Sequence, residues 1–208
     1  MQKKTSKLGK NMKRNKRGKI VVISGPSGVG KKTVWTPVIN DPRLNLSFSV
    51  SMTTRPKRVG EIDGKDYFFL TKPQFEEKIR EHELLEYATF ADNYYGTPKR
   101  FVDNLRDEGK NVFLEIEPQG GLQIIKMCEK NNDKDLLTIF IVPPSLDELE
   151  SRLIKRDTES KEVIEKRIEQ AKWEIRQKDN YQYVIVNKPG LQDEASKELM
   201  DILLKELV

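Results

Sequence analysis

The sequence predicts an α/β fold with a parallel-sheet core and helices on both of its faces. Three observations carry that expectation. Short β-branched apolar runs alternate with segments of helical period along most of the 208 residues, an alternation that builds a parallel sheet covered on two sides. The first apolar run, Ile20–Ser24, leads straight into Gly25-Pro-Ser-Gly-Val-Gly30-Lys31, a glycine-rich turn that opens a helix. The length suits one domain of ordinary size, alone or with mobile sub-domains, and no internal repeat divides it.

Taken in order, strands are expected at Ile20–Ser24, Leu46–Met52, Tyr67–Leu70, Asn111–Glu117, Leu137–Val142 and Tyr183–Asn187. Helical periods occupy about Lys31–Asn40, Lys72–His82, Pro98–Glu108, Gly120–Lys130, Ser145–Arg156, Ser160–Asp179 and Leu191–Leu207. Pro37 lies inside the first of these, where its ring and missing N–H predict a kink or an early end. Pro-Pro-Ser145, followed by acidic residues, is a helix start signal.

Composition narrows the function classes. Hydrophobic residues make up 36% and charged residues 34% of the chain, polar but compatible with a folded core. No apolar run approaches the roughly 20 residues needed to span a bilayer. The basic N-terminus lacks the apolar stretch of a secretory signal. The single cysteine, Cys128, has no partner for an internal disulfide, and these features together point to the cytoplasm. The net charge of +5 conceals an asymmetry: nine of the 38 Lys and Arg lie within residues 1–19, which hold no Asp or Glu. The body is therefore acidic, with 29 basic residues against 33 acidic ones. Residues 1–18 are expected to be a solvated, disordered extension. Contact of that extension with nucleic acid or an anionic surface is the lesser alternative.

Gly25, Pro26, Ser27, Gly28, Val29, Gly30 and Lys31 form a G-x-x-x-x-G-K loop between a strand and a helix, the context in which that spacing is specific. The glycines let backbone N–H groups turn inward around phosphate oxygens, the helix start adds a favourable dipole, and the lysine reaches the β and γ phosphates. A bound nucleotide is the expectation. The position after the lysine, where Ser or Thr is usual, holds Lys32, with Thr33 one step later. Metal binding at this point is therefore less secure than phosphate binding.

A phosphate loop alone does not specify an acceptor. The next stretch reads Ser49-Val-Ser51-Met-Thr53-Thr54-Arg55-Pro-Lys-Arg58-Val-Gly60-Glu61-Ile-Asp63-Gly64-Lys-Asp66-Tyr67-Phe68-Phe69. Arginine forks suit a phosphate monoester bidentately. Glu86, in Leu-Leu-Glu-Tyr-Ala, reads by itself as an ordinary solvated carboxylate, and the nearby Tyr94-Tyr95-Gly96-Thr97 reverses that reading. These segments resemble the guanylate-kinase signature S-x-S-x-T-T-R-x-x-R-x-G-E-x-x-G-x-D-Y-x-F almost position by position. Leu114-Glu-Ile-Glu117-Pro-Gln-Gly120, Arg156-Asp-Thr158-Glu159-Ser160 and the strand ending at Asn187 extend the resemblance from about Gly18 to Val208.

The resemblance implies a P-loop nucleoside-monophosphate-kinase fold. Its core would comprise residues 19–50, 99–150 and 171–208, with a mixed α/β GMP-binding sub-domain at 51–98 and a helical lid at 151–170. The implied reaction moves the γ-phosphoryl of ATP to GMP, giving ADP and GDP, with Mg²⁺ accompanying ATP. ATP would meet the loop residues 25–31, Lys32, Thr33 and Asn187. GMP would meet Ser51, Arg55, Arg58, Glu61, Tyr67, Glu86, Tyr95, Thr97 and Glu117. Lys31, Arg152, Arg156 and Arg167 would act on the transferring group. Thr33 and Glu115 could meet the metal's waters, and no direct protein ligand is assigned. The chain is expected to work as a monomer or homodimer on these small molecules, without a membrane.

Two other readings stay open at this point: a non-catalytic guanylate-kinase-like interaction module, and a kinase for another nucleoside monophosphate. The chain also departs from the family pattern. Besides Lys32, these departures are Pro118 and Gly121 after the fourth strand, Asp157 beside the lid arginine, and Lys188-Pro189 after Asn187. None removes a named catalytic side chain.

Overall fold

The structure, a computed structural model, describes residues 16–90, 92–154 and 161–208. Most of the basic extension and the expected lid segment Arg156–Ser160 lie outside the described residues. Among those described, the chain runs β1 (Ile20–Ser24), α1 (Lys31–Trp35), β2 (Leu46–Phe48), β3 (Met52–Thr53), β4 (Phe68–Phe69) and α2 (Lys72–Arg80). It continues β5 (Leu84–Phe90), β6 (Asn93–Pro98), α3 (Lys99–Asp107), β7 (Asn111–Glu115) and α4 (Pro118–Lys130). It ends β8 (Leu136–Val142), α5 (Leu146–Ile154), α6 (Lys161–Arg176), β9 (Tyr183–Val186) and α7 (Gln192–Leu207).

The central sheet has the order β2-β7-β1-β8-β9, and every pairing in it is parallel. Parallel strands buried on both faces should be continuously apolar, and all five residues of β1 are buried. Alternate side chains divide between two cores. Val21 and Ile23 pack with Phe113, Ile139 and Ile141 beneath α1 and α7, through Val34, Leu199 and Leu203. Ile20 and Val22 pack on the other face with Val112, Leu114 and Phe140 against α3 and α4, through Val102 and Ile124. Both cores lock the strand ends that carry the loops described below. A third, small cluster joins α5 to α6 through Leu149, Leu153 and Ala171.

A second sheet, β4-β3-β6-β5, stands beside the first. It is built on the antiparallel hairpin β5/β6, which the sequence reading did not identify as strands. The single strand expected at Leu46–Met52 is in fact two. β2 pairs with β7 as far as Phe48, and β3 pairs with β4 and β6 in the other sheet. The crossing residues 49–51 thus bridge the sheets and bring Ser51 into the space between them.

Other boundaries follow local chemistry. α1 ends at Trp35, the early stop expected from Pro37, and Thr36 Oγ donates back to the Lys32 carbonyl at 2.6 Å. α2 starts at a capping box in which Thr71 and Gln74 satisfy each other's termini. α4 starts two residues earlier than expected because Pro118 occupies its first turn, where a missing N–H is harmless. Ser145 Oγ accepts the Glu148 N–H at 3.1 Å at the start of α5. α6 runs without a break across residue 170, the expected edge of the lid. Arg17 and Gly18, read as part of the extension, are held to α3: Arg17 pairs with Asp103 at 2.6 Å and Asp107 at 2.9 Å. Arg106 Nε donates to the Gly18 carbonyl at 2.8 Å. No helix among the described residues is long and apolar enough to cross a membrane.

Candidate active site

The glycine-rich loop leaves the end of β1 and is clamped from behind. Gly30 has a φ of 89°, and a Cβ there would sit 2.7 Å from the Asn187 side-chain nitrogen. Asn187 Nδ2 donates to the Val29 carbonyl at 2.8 Å. Arg152 donates to the same carbonyl and to the Asn187 carbonyl, both at 3.0 Å, and its Nε to Glu148 at 2.8 Å. These bonds hold the Val29 carbonyl from behind, which leaves the loop's N–H side for an anion. From α6, Arg167 Nη2 donates to Ser27 Oγ at 3.4 Å.

Lys31 is 9% exposed. Its ammonium donates to the Gly25 carbonyl at 2.7 Å and lies 3.8 Å from Glu117 Oε1. Glu117 sits at the N-cap of α4 without capping it, so its carboxylate is left to face the cleft. Lys32 and Thr33 are both exposed. Lys32 therefore carries its charge to water, as long lysine stems readily do.

Between the two sheets lies a cleft of about 290 Å³ whose walls include Lys31, Ser51, Tyr67, Glu86, Tyr95 and Glu117. Glu86 is its most unusual wall residue. The pairing of β5 with β6 shifts between Leu84 and Glu86, so Leu85 and Glu86 are both buried although adjacent. A bulge of this kind re-aims a side chain that strict alternation would send outward. Glu86 Oε1 accepts Thr97 Oγ at 2.6 Å. Gly120 makes room for the carboxylate, since a Cβ there would lie 2.3 Å from Oε2. Burial pushes the Glu86 carboxyl up to about 7, with Glu117 adding to the rise and the Thr97 hydrogen bonds opposing it. An acceptor so poorly solvated is suited to a ligand that brings its own N–H donors.

Next to the cleft's Tyr67, Arg55 forks onto Glu61, Nη2 to Oε1 at 2.7 Å and Nη1 to Oε2 at 3.1 Å. Its guanidinium lies over the rings of Tyr67 and Phe69 at 5.5 and 5.8 Å. Glu61 also accepts the Arg58 N–H at 2.7 Å, and these donors, Arg55 first, hold its carboxyl below its ordinary value. Tyr67 and Tyr95 meet edge to face at 6.1 Å, and burial raises the Tyr67 hydroxyl above its usual value. A planar cation therefore sits beside two phenols at the margin of the cleft that also holds the Glu86 carboxylate.

The guanylate kinase family model matches residues 17–206. The chain belongs to the guanylate kinase family. Curated guanylate kinases of Streptococcus pyogenes serotypes M3 and M18 are 51% identical over 188 residues, covering 90% of this chain and 87% of theirs. The crystal structure of guanylate kinase from Anaplasma phagocytophilum superposes with a TM-score of 0.70 at 31% identity, over 93% of this chain and 88% of that one.

Set against the guanylate-kinase signature, the structure brings Ser51, Tyr67, Glu86, Tyr95, Glu117 and Lys31 to one cleft. Thr97 lies behind Glu86, and Arg55 and Glu61 form the fork at its margin. Arg58 is exposed beside them, and Arg156 lies outside the described residues. Asn187 and Arg152 are engaged with the loop's own backbone, and Glu115 accepts Trp35 Nε1 at 2.8 Å. One residue that shapes the site was missed. Gly120 stood at the end of a quoted motif, but its closeness to Glu86 is a three-dimensional fact.

Proposed function

We propose that this chain transfers the γ-phosphoryl group of ATP to GMP, giving ADP and GDP. The observation that carries the reading is the shared cleft, in which the phosphate-loop lysine and the buried acceptor Glu86 face one space. Relatives bearing the guanylate kinase name support it. Guanine offers N1–H and N2–H side by side, which one carboxylate accepts together, whereas adenine offers no such pair on that edge. Thr97 holds the carboxylate in place, and Ser51 adds a hydroxyl to the base. The monophosphate of GMP meets the Arg55 fork, Arg58 and the hydroxyls of Tyr67 and Tyr95. Glu61 acts through Arg55, keeping its guanidinium flat over the tyrosine.

ATP lies with its phosphates along the inward N–H groups that the loop between Gly25 and Lys31 offers, Pro26 having none. Lys31 then exchanges the Gly25 carbonyl for phosphate oxygens. Phosphoryl transfer leaves little covalent chemistry to a protein, so alignment and charge neutralisation supply the rate. Arg167, already at the loop, and Arg156 reach the transferring group, and Arg152 keeps the loop turned outward. The sequence segments 51–98 and 151–170 would close over the core and exclude water.

A divalent metal, Mg²⁺, would accompany ATP and neutralise charge on its terminal phosphates. No cluster of three His, Cys, Asp or Glu side chains among the described residues could hold a metal unaided. The donor set fits an ion that arrives on the nucleotide and is met through its waters by Glu117 or Glu115. The working compartment is the cytoplasm. The test is label transfer: ATP labelled in its γ-phosphate and incubated with GMP should give labelled GDP. Label released only as inorganic phosphate would refute the reading.

A further inference from the structure

Among the described residues, β5 is the edge strand of the second sheet. The outer N–H and C=O groups of an edge strand have no neighbouring strand to meet them. At Tyr87, the residue after Glu86, one side chain from α4 meets both. Gln123 Oε1 accepts the Tyr87 N–H at 3.2 Å, and Gln123 Nε2 donates to the Tyr87 carbonyl at 2.7 Å. A carboxamide offers that acceptor and donor side by side. It takes the place of a paired strand residue, which exchanges the same two bonds across an antiparallel ladder.

Gly120 lies three residues before Gln123 on α4, so the two share one face of the helix. It is Gly120 that gives the Glu86 carboxylate its room. Leu85, the residue before Glu86, is buried in the core cluster that includes Ile124 of α4. Three consecutive residues of β5 are thus registered on the core: Leu85 by its side chain, Glu86 over Gly120, and Tyr87 by its backbone on Gln123. The pairing of β5 with β6 is irregular between Leu84 and Glu86, so that ladder is interrupted just before the carboxylate. The two bonds from Gln123 supply a second hold just after it. We infer that Gln123 is a positioning residue for the base-reading carboxylate. By clasping the Tyr87 backbone it fixes where Glu86 stands over Gly120, and so how firmly Glu86 receives the edge of guanine. The inference rests on the reading of Glu86 as the guanine acceptor.

The experiment compares Gln123→Met and Gln123→Asn with the intact protein, and repeats Gln123→Met in a Glu86→Gln background. Met keeps the length of the side chain and removes both hydrogen bonds. Asn keeps both groups but withdraws them by one methylene. Gln123→Met is expected to bind GMP about tenfold more weakly by calorimetry without ATP, and Gln123→Asn about fivefold more weakly. Mg-ATP affinity should stay within about twofold of wild type in both. In the Glu86→Gln background, Gln123→Met should lower kcat/KM for GMP by less than about twofold, because the carboxylate it positions is already gone. A role confined to stability would lower the melting temperature alone. Wild-type GMP affinity in Gln123→Met would therefore overturn the inference, as would equal losses for GMP and ATP. So would the full tenfold cost persisting beside Glu86→Gln. Should Gln123→Met fail to fold, wild-type GMP affinity in Gln123→Asn would overturn it instead. If the wild-type protein bound GMP but passed no phosphoryl group to it, the functional reading would fail and the GMP-binding comparison would still stand.

Discussion

Glu86→Gln separates what the cleft costs from what it does. The carboxyl is pushed up to about 7, against an ordinary 4.5, chiefly because it is buried. A carboxyl raised on folding binds its proton more tightly in the native state. Its favourable contribution to stability is fully present below the unfolded value and is lost as pH rises through the folded one. At roughly 1.4 kcal/mol per pH unit, the ionised group burdens the native state by about 3 kcal/mol at pH 8, and by about 1.4 kcal/mol at pH 5.5. Glutamine keeps an oxygen for the 2.6 Å bond from Thr97 and does not titrate. Glu86→Gln should therefore be more stable than wild type in urea unfolding at pH 8, and the advantage should shrink by about 2 kcal/mol at pH 5.5. In the same variant kcat/KM for GMP should fall by about 30- to 1,000-fold, the cost of losing a charged acceptor that fixes the base, with the KM for ATP nearly unchanged. An advantage that stayed the same at both pH values would show that burial does not raise the Glu86 carboxyl. Unaltered GMP kinetics would place the base elsewhere.

Three further outcomes follow from the geometry. Gly120→Ala should push the Glu86 carboxylate aside, because its Cβ would come within 2.3 Å of Oε2. GMP turnover should drop by about tenfold or more while ATP binding, measured by calorimetry, holds. Arg55→Lys keeps the charge but loses the planar fork seen on Glu61, so the KM for GMP should rise about tenfold; a value within twofold would deny the fork a role. Lys32→Ser should leave turnover and the Mg²⁺ midpoint within about threefold of wild type, since Lys32 is already exposed. A tenfold lower midpoint would show instead that its charge disturbs the metal.

Much of this was legible in the chain because the informative residues come in rigid local patterns. The loop from Gly25 to Lys31 needs only its spacing and the apolar run before it, and β1 and α1 duly flank it. Pro37 and Ser145 act on their own neighbours, so the early end of α1 and the start of α5 could be read directly. The hairpin β5/β6 could not, because the bulge at Leu85 puts two adjacent residues inside and destroys the period of two. The break after Phe48 is equally silent in the sequence, since continuous apolar character cannot say which sheet a strand will join. Within the site, side-chain types were legible and their partners were not. Arg152 and Asn187 were expected at the nucleotide, yet their hydrogen bonds go to the loop that would hold it. Outside the site, the burial of Glu174 was hidden because a helix with many acids gives no hint which one faces inward.

In the proposed function, the buried carboxylate of one sheet and the phosphate loop of the other serve a single reaction on a guanine nucleotide. The most direct measurement is kcat/KM for GMP, AMP, CMP and UMP at saturating Mg-ATP, followed by ADP release. A preference for GMP over AMP of at least about a thousandfold is expected, because adenine leaves the buried Glu86 without donors and unpaired polar groups are rejected strongly. Comparable turnover of GMP and AMP, or ADP release that no monophosphate accelerates, would contradict it.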